Sequence, residues 1–230
     1  LTSNTTYAGP FERAARAYRA AGWLGVLPIG RQPAKKYPPP SAFTGHGKPD
    51  PSGADIEAWL DGPERAFNIG LRLPAGVLGL DVDAYPGKQG GDRLADLVAA
   101  YGPLPSTWIT TARTDGVSGI RLFRVPLQFD GHDINWPGEA GKHIELIQHG
   151  HRYAVVWPSI NPEAAGARYE WRTQPADSDE WMSTDGVMPR PEAIPWMPEP
   201  WVRGLMLPYA RTDKATLGSA DLAAYWDAIR

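Results

Sequence analysis

Cysteine is absent from all 230 residues, so disulfides, thiolate metal sites and thiol nucleophiles are excluded, as suits the reducing cytosol. Long apolar runs are absent too. Nothing approaches the ~20 residues of a membrane span, and no charged, apolar and small-residue leader pattern opens the chain. The chain begins at Leu1 rather than Met, which suggests a processed or excised polypeptide. A strong charge of either sign is also missing: the net charge is −3, which gives no global case for a polyanionic partner. Its distribution says more. Residues 1–50 carry seven Lys/Arg against two acids, and residues 163–200 carry three against eight. A basic N-terminal stretch facing a polyanion and an ordinary mixed surface both fit that asymmetry.

What is present is a globular composition, 42% hydrophobic and 21% charged, in a chain long enough to bury a substantial core. Pro10 at a first helical position, with Phe11, Ala14, Ala15 and Tyr18 at helical spacing, predicts a helix stopped by Gly22. A strand is expected over 23–29. Residues 30–53, with six prolines and four glycines, read as a loop. Ser52 to Asp61 reads as a short capped helix. Strands over 67–73 and 77–83 around Pro74-Ala75-Gly76 read as a hairpin. A helix over 91–101 ends at Gly102-Pro103, and further strands are expected at 107–112, 119–125, 143–148 and 153–157. The last two flank a tight turn at His149-Gly150-His151-Arg152. Residues 174–218 read as irregular segments pinned by Trp181, Trp196 and Trp201, and 220–230 as a terminal helix. Helices with mostly strands between them predict an α+β fold on a largely antiparallel sheet.

Chemistry concentrates at Asp81-Val82-Asp83, which ends the apolar run Val77-Leu78-Gly79-Leu80. In a strand, Leu78, Leu80 and Val82 point into a core while Asp81 and Asp83 point the other way, roughly 6.5 Å apart. Carboxylates at that spacing repel unless a cation lies between them, and hard divalent ions suit them. A solvated strand end running into a turn is the plainer reading. In His143-Ile144-Glu145-Leu146-Ile147, alternation sets His143, Glu145 and Ile147 on one face, and a carboxylate in an apolar strand needs a cation, an Arg or solvent. Thr111 to Phe123 holds a Gly-containing turn followed by Ser118-Gly119-Ile120-Arg121. Turn N–H groups, a hydroxyl and the guanidinium of Arg121 make good phosphate donors, though an exposed hairpin Arg is the commoner outcome. The tip His149-Gly150-His151-Arg152 fits either a phosphate contact or a polar turn. With no cysteine and no His-x₃-His helix, the sequence offers no zinc site.

In this order the segments resemble the prim-pol branch of the archaeo-eukaryotic primase superfamily, the N-terminal bifunctional primase/polymerase domain of phage and plasmid replication proteins. Leu80-Asp81-Val82-Asp83 matches its strand-borne Asp-hydrophobic-Asp, Ile144-Glu145 its hydrophobic-acid strand, and Val156-Trp157-Pro158-Ser159 the segment that follows. Ala17-Tyr18, Gly22-Trp23, Pro28, Asn68-Ile69-Gly70 and Tyr169-Glu170-Trp171 also look like the family, so the resemblance spans about residues 11–172. In two places the chain departs from the pattern. Arg121 stands where the Ser-x-His motif implies a nucleotide-binding His, and Pro33-Ala34-Lys35-Lys36 replaces a Gly-Lys-x-Pro-like stretch. Arg121 can grip phosphate but cannot donate a proton near neutral pH, which would leave any acid role to His143 or His151.

The resemblance implies an archaeo-eukaryotic primase-like fold, with an RRM-like catalytic half and an N-terminal α/β lobe. It implies a catalytic domain over 1–218: a basic lobe at 10–62, a catalytic core at 63–172 and a Pro/Trp-rich acidic segment at 173–218 packed on the body. Residues 219–230 would form a helix leading to further regions. The implied activity is nucleotidyl transfer by a DNA polymerase/primase, with two Mg²⁺ or Mn²⁺ ions held by Asp81, Asp83 and Glu145. Ser118, Gly119, Arg121, Arg113, His143, His151 and Arg152 would contact the nucleotide, and Arg31, Lys35, Lys36 and Lys48 the DNA template and primer. Partners would be dNTP or NTP, DNA and a C-terminal helicase domain, with the domain itself a monomer in a bacterial host cytoplasm. Two rivals remain: a prim-pol fold that only binds nucleotide or single-stranded nucleic acid, and a carbohydrate-active protein using paired carboxylates. Asp81 and Asp83 sit too close on one strand face for the second.

Overall fold

The computed structural model describes residues 8–126, 139–175 and 180–210. The expected terminal helix at 220–230 lies outside the described residues. Helix α1 (Pro10–Ala20) buries Phe11, Ala14, Ala15 and Tyr18 along one stripe. Its proline costs nothing at the first helical position, where no intrahelical acceptor exists. Strand β1 (Gly25–Ile29) follows. Helix α2 (Gly53–Asp61) starts at a capping box in which the Ser52 hydroxyl accepts from the Asp55 N–H and the Asp55 carboxylate accepts from the Ser52 N–H.

Strands β2 (Asn68–Arg72) and β3 (Val77–Val82) come next, then α3 (Gly90–Tyr101), β4 (Trp108–Thr111) and β5 (Gly119–Arg124). The chain continues through β6 (Glu139–Gly141), β7 (Ile144–Ile147), β8 (Ala154–Val155) and β9 (Ile160–Asn161). It ends with β10 (Ala167–Arg168), β11 (Glu170–Thr173), β12 (Met182–Ser183) and α4 (Glu199–Ala210).

Among the described residues the paired strands form three sheets: β12-β11-β4-β5-β3-β7-β6, β1-β2-β8, and β10-β9. Every strand pairing is antiparallel, so the protein is α+β on mostly antiparallel sheets. Two cores follow from the alternation of side chains along the large sheet. On one face Leu122, Ile147 and Trp171 join α1, α2 and the small sheet. On the other, Leu78, Leu80, Val82, Phe123, Ile144 and Leu146 are covered by α3 and α4 through Leu97, Trp201, Val202 and Leu205. No helix among the described residues is long and apolar enough to cross a membrane.

Three expectations need correction. The 67–83 segment is not a hairpin. Val77 N–H bonds the Pro74 carbonyl at 3.1 Å, but β2 pairs with β1 and β8, whereas β3 pairs with β5 and β7. The turn passes the chain from one sheet to the other. The 143–157 segment behaves likewise. Gln148 and His151 exchange both backbone hydrogen bonds at 3.0 Å, yet β7 stays in the large sheet and β8 joins the small one. Strand β2 lies between β1 and β8 and β3 between β5 and β7, while β7 pairs with β3 and β8 with β2, so turn chemistry does not choose the partner. The 174–218 segment is not irregular throughout, because α4 occupies Glu199–Ala210.

The tryptophans act as anchors. Trp23 Nε1–H donates to the Pro189 carbonyl at 2.8 Å and Trp201 Nε1–H to that of Gly102 at 2.9 Å. Trp171 Nε1–H donates to the Tyr18 hydroxyl, which donates in turn to the Trp157 carbonyl, each at 2.7 Å. Burial raises the Tyr18 pKa well above the ordinary phenol value and keeps that hydroxyl a donor.

Candidate active site

The two sheet-to-sheet turns leave a cleft between the sheets, about 210 Å³ in volume, at the end of β3. Partners across antiparallel strands project to the same face. Asp81 lies opposite Glu145 of β7 on one side and Ile120 of β5 on the other. Asp81, Asp83 and Glu145 all line the cleft, so the structure brings together the three carboxylates singled out in the sequence. Asp83 is fixed through its backbone: its N–H bonds the His143 carbonyl at 3.0 Å, and its carbonyl accepts from the Gly90 N–H at 2.8 Å. Gly90 is required there, because a Cβ would stand 2.4 Å from the Asp83 carbonyl oxygen and 2.6 Å from that of His143.

The carboxylates load the cleft with negative charge. Desolvation, then the Asp83 and Glu145 carboxylates, push the Asp81 carboxyl up from 3.8 to about 7, with Lys36 and Arg121 acting in the opposite direction. Basic side chains meet the other two: Lys88 Nζ lies 3.6 Å from Asp83 and an Arg152 nitrogen 3.5 Å from Glu145. This all-oxygen, charge-rich donor set suits a hard divalent cation such as Mg²⁺ or Mn²⁺. It is not gathered into a closed coordination cage, and among the described residues no group of three or more His, Asp or Glu is close enough to hold a metal as it stands.

The expected nucleotide contacts divide. Ser118, Gly119, Arg113 and Arg152 line the cleft. The Ser118 hydroxyl accepts from the Ala84 N–H at 2.9 Å, tying the β5 turn to the end of β3. The Arg113 guanidinium carbon lies over the Tyr85 ring, 3.6 Å from its centroid. Among the described residues it has no carboxylate at salt-bridge distance, whereas Lys36 pairs with Glu163 at 2.9 Å.

Arg121, His143 and His151 do not line the cleft. Arg121 is opposite Leu80 and therefore points to the other face of the sheet. It is buried there, over the Trp181 ring at 5.5 Å, with its pKa drawn down to about 10 by desolvation. The side chain on the Asp81 face is that of Ile120, which lines the cleft. The expectation that Arg121 takes the place of the nucleotide-binding His is thereby corrected: Ser-x-His spacing counted from Ser118 falls on Ile120, the residue opposite Asp81, and a shift of one residue moves a side chain to the other face. His143 adopts a positive φ of 65° and turns its Nδ1 to the Gln89 N–H at 2.9 Å. His151 is exposed at the turn.

Of the basic residues expected to meet DNA, Lys36 lines the cleft, while Arg31, Lys35 and Lys48 are exposed outside its lining. Four tyrosines that sequence reasoning passed over also line it: Tyr37, Tyr85, Tyr153 and Tyr169. For Tyr153, on the strand-like 153–157 run, the signal was its place two residues before Val155, which also lines the cleft.

No curated protein and no solved structure matches the chain. Residues 14–182 match the family model described as the N-terminal domain of bifunctional DNA primase/polymerases, Prim-Pol. The match covers more than half of the chain and contains every carboxylate of the cleft, so this protein belongs to the Prim-Pol family.

Proposed function

We propose that the cleft performs template-directed nucleotidyl transfer of the DNA primase/polymerase type in phage or plasmid replication. A strand's 3′-hydroxyl oxygen bonds the α-phosphorus of a nucleoside triphosphate and gives up its proton to water, the bond to the bridging oxygen breaks, and pyrophosphate leaves with that electron pair. The carrying observation is the direct cross-strand pairing of Asp81 with Glu145, with Asp83 beside them, in a cleft that also holds Lys36, Arg113 and Arg152. Two Mg²⁺ or Mn²⁺ ions, held by Asp81, Asp83 and Glu145, would neutralise developing charge and lower the pKa of the attacking hydroxyl.

The chain's own groups do the positioning. Arg113, Lys36 and Arg152 bind the triphosphate oxygens, and the Ser118–Gly119 turn sets the spacing between them and Asp81. The exposed Arg31, Lys35 and Lys48 meet template and primer phosphates, so strand binding weakens steeply with salt. The same proposal takes the large sheet as the RRM-like half of an archaeo-eukaryotic primase-like fold. It also takes 1–218 as one monomeric catalytic domain, preceding a helicase region and working in a bacterial cytoplasm.

Primer extension with Mg²⁺ or Mn²⁺ tests the reading. The wild type should incorporate dNTP, and Asp81→Asn/Asp83→Asn should abolish incorporation while retaining the native circular dichroism. Full activity in that folded variant would refute the carboxylate assignment. Ile120 favours a second reading, a nucleotide- or strand-binding module without catalysis, because an apolar side chain faces Asp81 and no imidazole lines the cleft. Oligonucleotide binding by a wild type that incorporates nothing would select it.

A further inference from the structure

The loop between β1 and α2 carries an exposed aromatic side chain that packs into no core of the fold. Tyr37 is 70% exposed, the highest value among the exposed large hydrophobic residues, yet it lines the cleft that holds Asp81. The other three cleft tyrosines are engaged or more enclosed. Tyr85 lies under Arg113, the Tyr153 hydroxyl donates to the Lys36 carbonyl at 2.6 Å, and Tyr169 is half-buried. Among the described residues, the Tyr37 ring stacks on no other ring or cation, and its hydroxyl makes no hydrogen bond.

The backbone that presents Tyr37 is held on both sides. The Lys35 carbonyl accepts from Nδ2 of the buried Asn68 at 3.0 Å, the Lys36 carbonyl accepts from Tyr153, and the Pro38 carbonyl accepts from the Gly30 N–H at 3.0 Å. Pro38, Pro39 and Pro40 follow with their φ angles fixed. A large apolar ring left in water on an anchored loop gains nothing for folding. At the mouth of a charged cleft it offers a preordered π-face at little entropic cost.

We propose that Tyr37 is the stacking platform for the base of the incoming nucleotide, which rests on the nucleotidyl-transfer reading of the same cleft. The phosphate-binding chemistry lies one residue away. Consecutive Cα atoms are about 3.8 Å apart, and Lys36 reaches into the cleft beside Tyr37. A triphosphate held by Lys36 and Arg113 therefore carries its base toward the Tyr37 ring. Stacking is tolerant of base identity because every base has a π-face, as copying any template requires.

The test separates base from phosphate. Affinities for dATP and for inorganic tripolyphosphate are measured by titration calorimetry with Mn²⁺ on the wild type, Tyr37→Ala, Tyr37→Phe and Tyr37→Trp, with folding checked by circular dichroism. Tyr37→Ala should weaken dATP binding about tenfold, on the scale of one lost base–aromatic stack. Tyr37→Phe and Tyr37→Trp should restore it, and tripolyphosphate affinity should stay constant across all four proteins. Unchanged dATP affinity in Tyr37→Ala overturns the inference while leaving the cleft's function standing. An unchanged dATP affinity with weakened oligo-dT binding overturns it in favour of a platform for the strand. Failure of the wild type to bind dATP at all refutes the nucleotidyl-transfer reading itself, and this inference with it.

Discussion

The two faces of the seven-stranded sheet are built from the same strands and differ by one residue of alternation. On the cleft face, Asp81, Glu145, Ile120 and Thr110 stand in one cross-strand row. On the other, Leu80, Leu146, Arg121 and Ile109 form the adjacent row. In the second row Leu80 and Leu146 pack under α3 and α4 and Arg121 lies over Trp181, while the first row lines the cleft between two sheets, where the carboxylates gather. A strand thus delivers core and site from neighbouring positions, and the site is only as rigid as the core behind it. Leu80, buried completely, fixes the height of Asp81 in the cleft.

Breaking each row separately tests that division. Asp81→Asn/Asp83→Asn should cut dNTP incorporation more than about 10²-fold, the scale of losing one charge-stabilising group at a reacting centre. Leu80→Ala should instead cost about 2–5 kcal/mol of unfolding free energy through the cavity it leaves, measured by urea denaturation, with KM for nucleotide held at temperatures where it remains folded. A pH series gives a smaller effect. The Asp81 pKa of about 7 in the fold lies above its ordinary 3.8. The folded state therefore holds that proton more tightly than the unfolded chain does. The associated stability is fully present below pH ~4 and is lost as pH rises through about 7. Without divalent ions, the melting temperature should fall from pH 5 to pH 8. Asp81→Asn should flatten that slope, and added Mn²⁺ should raise the melting temperature at pH 8. The smallest effects sharpen the contrast between adjacent residues of β5. Arg121→Met should leave KM for dNTP within about twofold, because its side chain stands behind the sheet. Ile120→His should lower KM by up to about tenfold, the worth of one hydrogen bond to a charged phosphate.

Much of this was legible because it is local. Pro10 with Phe11, Ala14, Ala15 and Tyr18 specified α1, and Ser52 with Asp55 specified the start of α2. The apolar run ending in Asp81 specified β3 and its polar face. Helix α4 was hidden by Pro198 and Pro200, yet both fall at its start, where proline removes no intrahelical bond. The two mistaken hairpins had good turn residues. Their strands went to different sheets because β2 and β3, and likewise β7 and β8, each found a partner more distant in sequence.

Arg121 marks the boundary between the two kinds of information. Side-chain alternation is a property of the strand itself, so the chain alone set Asp81 and Asp83 on one face and Leu80 and Val82 on the other. Which residue of β5 would share the Asp81 face depended on the pairing register between segments some forty residues apart, and that was decided only when the sheet formed and put Ile120 there. The convergence of Glu145 on Asp81, and the placing of Tyr37 at the rim, required the same long-range assembly, because the cleft exists only between two sheets that the sequence does not pair by itself.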